Sequence, residues 1–175
     1  MKYNSDIHHR KSIRLRHYDY SKPGAYFITI CTHNRECLFG KIIGRKMVLN
    51  NKGKITRHYW LEIPRHFPNV VLDEYIIMPN HVHGIIVLDN SVGARHAVPL
   101  HQTEQFGRPT RKSIPTIIRS FKSAVTHQIN QIPGASVWQH NYYEHIIRNE
   151  IELNKARGYI VYNPINWSTD ENYRD

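Results

Sequence analysis

Cysteine is scarce in this chain, where Cys31 and Cys37 are the two cysteines among 175 residues. A pair this close in sequence provides neither a disulfide framework nor a cysteine-rich zinc site, so a reducing cytoplasm is the predicted compartment. Cys31 lies in the strand-like segment YFITICT, which favours a small buried thiol. A metal site made of Cys31 and His33 lacks the further Cys or His pair that would complete it.

Long apolar runs and acidic residues are also in short supply. No apolar run approaches the roughly 20 residues needed to span a bilayer, and residues 1–20 lack the hydrophobic region of a signal peptide. Fourteen Asp and Glu stand against 24 Lys and Arg, which gives a formal charge of +10. This surplus favours a polyanionic partner. Membrane contact is the weaker option, so the sequence predicts a nucleic-acid partner and a cytoplasmic, nucleoid-associated location.

Alternating β-branched and aromatic residues predict four main strands. These strands cover residues 24–33, 70–78, 81–88 and 142–148. Residues 40–51 add a small predicted hairpin, and a turn at Pro79-Asn80 joins the second and third main strands into another.

Three helices are predicted from apolar spacing and from capping signals. Residues 51–67 and 113–132 each place apolar side chains at helical intervals. Asn149 and Glu152 form the start of a capping box for a last helix over 150–163, which Pro164 ends.

The main elements run β-α-β-β-α-β, followed by one more helix. This is the order of an α+β, ferredoxin-like (split βαβ) antiparallel sheet with helices packed on one face and an extra C-terminal helix. Residues 1–175 are predicted to form a single domain, with a basic N-terminal arm at 1–22 and a flexible loop at 89–112. Such a fold hosts many functions, so the function depends on particular residues.

Two histidines stand one residue apart in the apolar segment YIIMPNHVHGIIVL. The chain holds 13 histidines, so about one H-x-H arises by chance and the bare motif is weak. On a strand, however, His81 and His83 face the same side, and their imidazoles form half of a divalent-metal site. A pair of hydrogen-bonded sheet histidines explains the spacing equally well.

The last predicted helix offers a third ligand and a nucleophile. Tyr159 and Asn163 in GYIVYNP are one helical turn apart on one face. Asn163 supplies a carbonyl oxygen, which suits Mg²⁺ or Mn²⁺. Tyr159 would stand beside that metal, although a phenol attacks only when it is activated and positioned. From the residues alone, a half-buried helical aromatic is the more ordinary role for Tyr159.

Several separated segments resemble one known family. MPN followed by His81-Val82-His83, then VWQHNYYEHIIRNE, then YIVYNP resemble the HUH single-tyrosine transposases, and within them the REP-associated tyrosine transposases. The opening SIRLRHYDYSKPGAYFITICTHNRECLFG is similar to that group as well. The resemblance covers about residues 12–167 and is weakest over 89–112.

This resemblance implies a role for each matching residue. His81 and His83 match the pair that binds a divalent metal, Mg²⁺ or Mn²⁺. Tyr159 matches the nucleophile, and Asn163 matches the position of a third ligand. The implied partner is single-stranded DNA with hairpins: cleavage links the tyrosine to the 5′ phosphate and frees a 3′-hydroxyl, and rejoining needs no ATP. The implied protein is a monomer or a homodimer.

Other residues near these motifs are weaker candidates. Tyr142 and Tyr143 precede a capped helix on a strand that offers no ligand four residues on, and Tyr162 turns partly away from the predicted third ligand. Glu144 and His145 point to opposite faces by strand alternation, so at most one of them can face the site. No catalytic role is assigned to either residue.

Basic side chains are predicted to contact the DNA backbone. They are Arg14, Arg16, Arg111, Lys112, Arg119 and Lys122. A solvated surface charge is the ordinary alternative for each of them.

Two other functions compete with the transposase. One is a hairpin-specific DNA-binding protein without cleavage activity, although such a protein would be free to lose a histidine, the tyrosine or the asparagine. The other is a replication initiator or relaxase of the wider HUH class. Those proteins usually carry more histidines in the metal motif or an attached helicase or primase region, for which we expect no room here.

Overall fold

The structure is a computed structural model that describes residues 18–89, 112–130 and 136–174. The strands among these residues are β1 (Gly24–Cys31), β2 (Gly40–Ile43), β3 (Lys46–Leu49), β4 (Val70–Ile77), β5 (His81–Leu88) and β6 (Tyr143–Ile147). The helices are α1 (Asn51–Leu61), α2 (Ile63–His66), α3 (Ile114–Ile129) and α4 (Glu150–Tyr162). Most of the predicted basic arm and of the predicted 89–112 loop lies outside the described residues.

The four main strands form one antiparallel sheet in the order β4-β5-β1-β6. This order, with one helical crossover on each side of the β4–β5 hairpin, is that of the ferredoxin-like fold. The predicted fold class is therefore confirmed. β2 and β3 pair separately as the predicted small hairpin. Gly44 and Arg45 in its turn have φ values of 54° and 63°, which suits a two-residue hairpin turn.

Strand alternation divides the side chains of the sheet between two cores. The larger core contains Tyr26, Ile28 and Ile30 of β1 and lies under α1 and α3. The smaller core, on the opposite face, packs Ile85 and Ile147 against α4. Two long helices thus cover one face as predicted, and the last helix covers the other.

Helices α3 and α4 show how the sequence specifies a helix. In α3 the apolar stripe is buried, with Pro115 in the first turn, where its missing N–H costs nothing. In α4 the Asn149 side chain accepts a hydrogen bond from the Glu152 N–H at 2.9 Å, as the capping prediction requires. Ile160 is the one residue of α4 that is fully buried, so this helix rests on a thin apolar contact.

The helix predicted over 51–67 is interrupted. It ends at Leu61, and α2 begins at Ile63 with Pro64 in its first turn. A proline inside a helix removes one hydrogen bond and clashes with the preceding turn, so the chain restarts rather than continues. The prediction of one continuous helix was wrong at this point.

Strand β5 passes directly against a tryptophan of α1. A Cβ atom placed on Gly84 would overlap Cζ2 of Trp60 and lie 2.9 Å from its Cη2. Trp60 is fully buried and contacts Phe121 edge-on, with 5.3 Å between the ring centres. The glycine that follows the two histidines is therefore required by packing. Among the described residues, no helix has the length and apolar character needed to cross a membrane.

Candidate active site

An open cleft of about 1000 Å³ lies on the face of the sheet that α4 covers. His83, Tyr159, Asn163 and Asp170 are among the residues that line it. Strand β5 supplies the histidines, α4 supplies the tyrosine and the asparagine, and the segment after α4 supplies the aspartate. The structure therefore brings together the residues predicted from two separate motifs.

His81 and His83 project side by side from β5, as the strand alternation predicts. Their ring centres are 4.3 Å apart, and both side chains are buried. The Nδ1 atom of His81 lies 2.8 Å from Oδ1 of Asn80, and that of His83 lies 2.9 Å from Oγ1 of Thr29. Both Nε2 atoms are buried without a hydrogen-bond partner. Each imidazole thus has one nitrogen held by the protein and one left to face a ligand.

Two side chains from the C-terminal part of the chain complete this cluster. Asn163 caps the end of α4 and is 2% exposed. Its Nδ2 donates a hydrogen bond to Oδ2 of Asp170 at 2.8 Å, while its Oδ1 is buried without a partner. Ligand atoms of His81, His83 and Asp170 all lie within 4.8 Å of one another.

The donor set fits a divalent cation. Buried polar atoms without hydrogen bonds are costly, and three occur here: two imidazole nitrogens and one amide oxygen. A cation bound between them and the nearby carboxylate would satisfy all three. Two nitrogen and two oxygen donors are compatible with Mg²⁺ or Mn²⁺.

The protonation state of the histidines agrees with this role. Burial lowers the pKa of His81 to about 4, although the nearby carboxylate of Asp170 opposes the shift. Burial, together with the neighbouring His81, also holds the pKa of His83 well below its usual range. Both imidazoles are therefore neutral near pH 7, which is the form that ligates metals.

Tyr159 stands at the mouth of the cluster and is 43% exposed. Its hydroxyl donates a hydrogen bond to Oδ2 of Asp170 at 3.1 Å, and its ring contacts His83 edge-on at 5.1 Å. Partial burial and the negative charge of Asp170 raise the pKa of Tyr159 above its ordinary value. The resting phenol is thus protonated, open to the cleft and adjacent to both the histidines and a carboxylate.

Two rival tyrosines share the cleft. Tyr142 and Tyr143 also line it, whereas Tyr162, which is 58% exposed, is not among its lining residues. Tyr159 is distinguished by its hydrogen bond to the Asp170 carboxylate beside the histidines.

His145 lines the cleft, where its Nε2 lies 3.4 Å from Oε2 of Glu152. Glu144 and His145 face opposite sides of the sheet, because they pair with the consecutive residues Ile28 and Phe27 of β1.

Asp170 is the residue of the site that the sequence analysis missed. A short helical turn over Trp167–Thr169 brings the chain back over the histidines, and the Trp167 ring lies 5.9 Å from the His81 ring. Oδ1 of Asp170 then accepts the Asn172 N–H at 2.7 Å. No local motif indicates this closure, because it depends on contacts between residues about 90 positions apart.

The predicted DNA contacts stay predictions. Lys112 and Arg119 are exposed. Lys122 is half-buried, and its Nζ donates to the carbonyl oxygens of Gln139 and His140, so it also holds the segment before β6. The remaining predicted contacts lie outside the described residues; they are Arg14, Arg16 and Arg111.

No protein-family model matches this chain. The chain does have a close sequence relative. A Haemophilus influenzae protein called uncharacterised is 47% identical over 99% of this chain and 98% of its own length.

More distant relatives carry a family name. Two proteins named as REP-associated tyrosine transposases, from Haemophilus influenzae and Escherichia coli K12, are 26% and 24% identical. They match over 84% and 83% of this chain and over 73% and 69% of their own lengths. A solved REP-associated tyrosine transposase bound to a REP hairpin has the same fold, with a TM-score of 0.58, 20% identity and coverage of 89% of this chain and 73% of that one. By these relatives and by its fold, the chain is similar to the REP-associated tyrosine transposases.

Proposed function

We propose that the protein is a metal-dependent transposase that cleaves and rejoins single-stranded DNA at hairpin-associated sites through a 5′-phosphotyrosine intermediate. One observation carries this proposal: the buried, unpaired Nε2 atoms of His81 and His83 lie beside an accessible tyrosine hydroxyl. In a purely structural histidine pair, the buried ring nitrogens would be expected to have hydrogen-bond partners.

The metal would be held by His81, His83 and Asn163, with Asp170 as a further donor. When bound, Mg²⁺ or Mn²⁺ would make the phosphorus more electrophilic and stabilise the negative charge that develops on the non-bridging oxygens. Asp170 is the one carboxylate among these four side chains. Its single negative charge does not neutralise the two positive charges of the cation, so the metal-loaded site would still attract an anionic phosphodiester.

Tyr159 is the proposed nucleophile. Its oxygen bonds to the phosphorus while the bond from the phosphorus to the 3′ oxygen breaks, and the 3′ oxygen leaves as a hydroxyl after taking up a proton. Oδ2 of Asp170 accepts the phenol hydrogen bond at 3.1 Å, so it orients the hydroxyl and offers its proton a first acceptor. A second 3′-hydroxyl reverses these bond changes and rejoins the strand without ATP.

The proposed substrate is single-stranded DNA that carries a hairpin. A family relative of this fold was solved with a REP hairpin bound, and the net charge of +10 favours a polyanion. The exposed Lys112 and Arg119 are proposed to contribute phosphate contacts, together with the predicted basic residues of the N-terminal arm. We also propose that the chain acts as one domain, as a monomer or a homodimer, in the cytoplasm.

The test is the formation of a covalent protein–DNA adduct. A labelled single-stranded hairpin oligonucleotide is incubated with the protein and Mn²⁺ or Mg²⁺, and the products are separated under denaturing conditions. We expect an adduct that disappears with chelator and in Tyr159→Phe. The matched control is Tyr162→Phe, which changes an exposed tyrosine of the same helix and should keep the adduct.

The outcomes separate the competing functions. An adduct in Tyr159→Phe would show that another residue is the nucleophile. If the wild-type protein binds hairpins tightly but forms no adduct with either metal, the protein is the hairpin-binding protein without cleavage activity.

A further inference from the structure

Asn80, the residue before His81, is fully buried and uses every polar atom of its side chain. Its Nδ2 donates to the carbonyl oxygen of Asn172 at 2.7 Å and to that of Arg35 at 3.0 Å. Its Oδ1 lies 2.8 Å from Nδ1 of His81. One side chain thus connects three segments that are far apart in sequence.

These contacts determine which nitrogen of His81 carries the proton. A carbonyl oxygen can only accept, so the two carbonyls require the NH₂ group of Asn80 and leave its Oδ1 facing His81. Oδ1 can also only accept, so Nδ1 of His81 must be the protonated nitrogen. The lone pair therefore lies on Nε2, the buried atom that has no hydrogen-bond partner.

The same side chain holds the segment that carries Asp170. Asn80 binds the carbonyl oxygen of Asn172, and the N–H of Asn172 binds Oδ1 of Asp170. Arg35 supports this link, because its guanidinium donates a hydrogen bond to the carbonyl oxygen of Glu171 at 2.8 Å. Arg35 itself has a φ of 57°, an uncommon conformation for a residue other than glycine. The buried Asn80 amide thus links β5, which carries the histidines, to the C-terminal segment that carries Asp170.

We propose that Asn80 is a positioning residue that prepares both halves of the metal site. It keeps the lone pair of His81 directed at the ion, and through Asn172 it holds the Asp170 carboxylate beside the histidines. This inference rests on the metal site of the proposed function, and it adds a residue that touches neither the ion nor the DNA.

The test measures metal binding and backbone protection in protein without DNA. Isothermal titration with Mn²⁺ should show an affinity about 10–100-fold lower for Asn80→Ala, the range found when a partner of a metal-ligating histidine is removed. Hydrogen–deuterium exchange of metal-free protein should show faster exchange over residues 167–174 in the same variant.

Two further variants separate this role from a loss of folding. Asn80→Asp retains an acceptor for Nδ1 of His81 but places a carboxylate oxygen against two carbonyls. Hydrogen exchange over residues 167–174 should be as fast in this variant as in Asn80→Ala. Its Mn²⁺ affinity should lie between those of Asn80→Ala and the wild type. The matched control is Asn50→Ala, which removes an amide that accepts from Gly53 and donates to Leu38 at the start of α1. This control should bind Mn²⁺ like the wild-type protein.

Each outcome decides the matter. The proposal is overturned if Asn80→Ala binds Mn²⁺ as the wild type does, if Asn50→Ala loses as much affinity, or if the wild type binds no Mn²⁺. A protein that forms no DNA adduct but shows both Asn80 effects would refute the proposed transposase activity and leave the role of Asn80 intact.

Discussion

Gly84→Ala is expected to destabilise the protein strongly although it adds a single methyl group. The new Cβ would overlap Cζ2 of Trp60 and lie 2.9 and 3.0 Å from two further ring atoms. The ring cannot move away easily, because Trp60 is fully buried between Phe121 and Tyr75. Either the indole or strand β5 must therefore shift.

The size of this effect follows from core overpacking. Inserted methylenes typically cost about 1–3 kcal/mol, and overlap of the new Cβ with a trapped indole places this case near the upper value. For a protein of this size, about 1 kcal/mol lowers the Tm by roughly 2–4 °C, so a fall of about 6–12 °C is expected. Urea unfolding followed by circular dichroism gives the free energy, and a thermal scan gives the Tm.

A double variant tests the cause of this loss. Trp60→Phe alone should cost about 1–3 kcal/mol because it leaves a gap in the core. In Gly84→Ala/Trp60→Phe the smaller ring makes room for the methyl group, so the double variant should be more stable than the two separate costs predict. The reasoning fails if Gly84→Ala costs less than about 0.5 kcal/mol or if the two costs simply add.

Three further expectations concern helix α4, which carries Tyr159, and one concerns the proposed metal. Ile160→Ala should lower the free energy of unfolding by about 2–4 kcal/mol in urea titrations, because it removes the buried contact of α4. Asn149→Ala should cost about 1 kcal/mol in the same measurement through the lost N-cap, and no loss would contradict the capping role. The Arg157 guanidinium, with Nη2 2.6 Å from Oδ2 of Asp73, holds the pKa of Asp73 below its usual value. This pair therefore stabilises the fold above the unfolded pKa of about 3.9 and loses that effect as the pH falls through the lower folded value, so Asp73→Asn should lose less stability than the wild type between pH 7 and pH 3. Mn²⁺ at about 100 times its Kd should stabilise the wild type by about 2.7 kcal/mol in thermal scans, whereas His83→Ala at the same concentration should show little stabilisation.

The fold could be predicted because its signals are local. Alternation marks each main strand, and the β5 bounds match the prediction at both ends. The tight β4–β5 connection and the two helical crossovers then leave few possible topologies. The break at Glu62 was missed because the apolar spacing continues through it to Ile63, although Pro64 was a sign that the helix could not run on.

The site was predictable in part for the same reason. His81 and His83 share a face through strand alternation, and Tyr159 and Asn163 share one through the helical repeat. The structure brings these two pairs together. Asp170 and the contacts of Asn80 depend on how the chain closes over the sheet, and no sequence period reports such a contact between distant residues.

The division of the protein into two cores has a consequence for how it can lose activity. The larger core lies under α1 and α3, whereas α4 is held by Ile160, a few partly buried side chains and the Asp73–Arg157 pair. Local opening of α4 would carry Tyr159 and Asn163 away from the histidines while the larger core stayed intact. Substitutions that loosen this one helix are therefore expected to abolish the proposed cleavage before they unfold the larger core, and they offer a short route from the proposed transposase to a folded protein without cleavage activity.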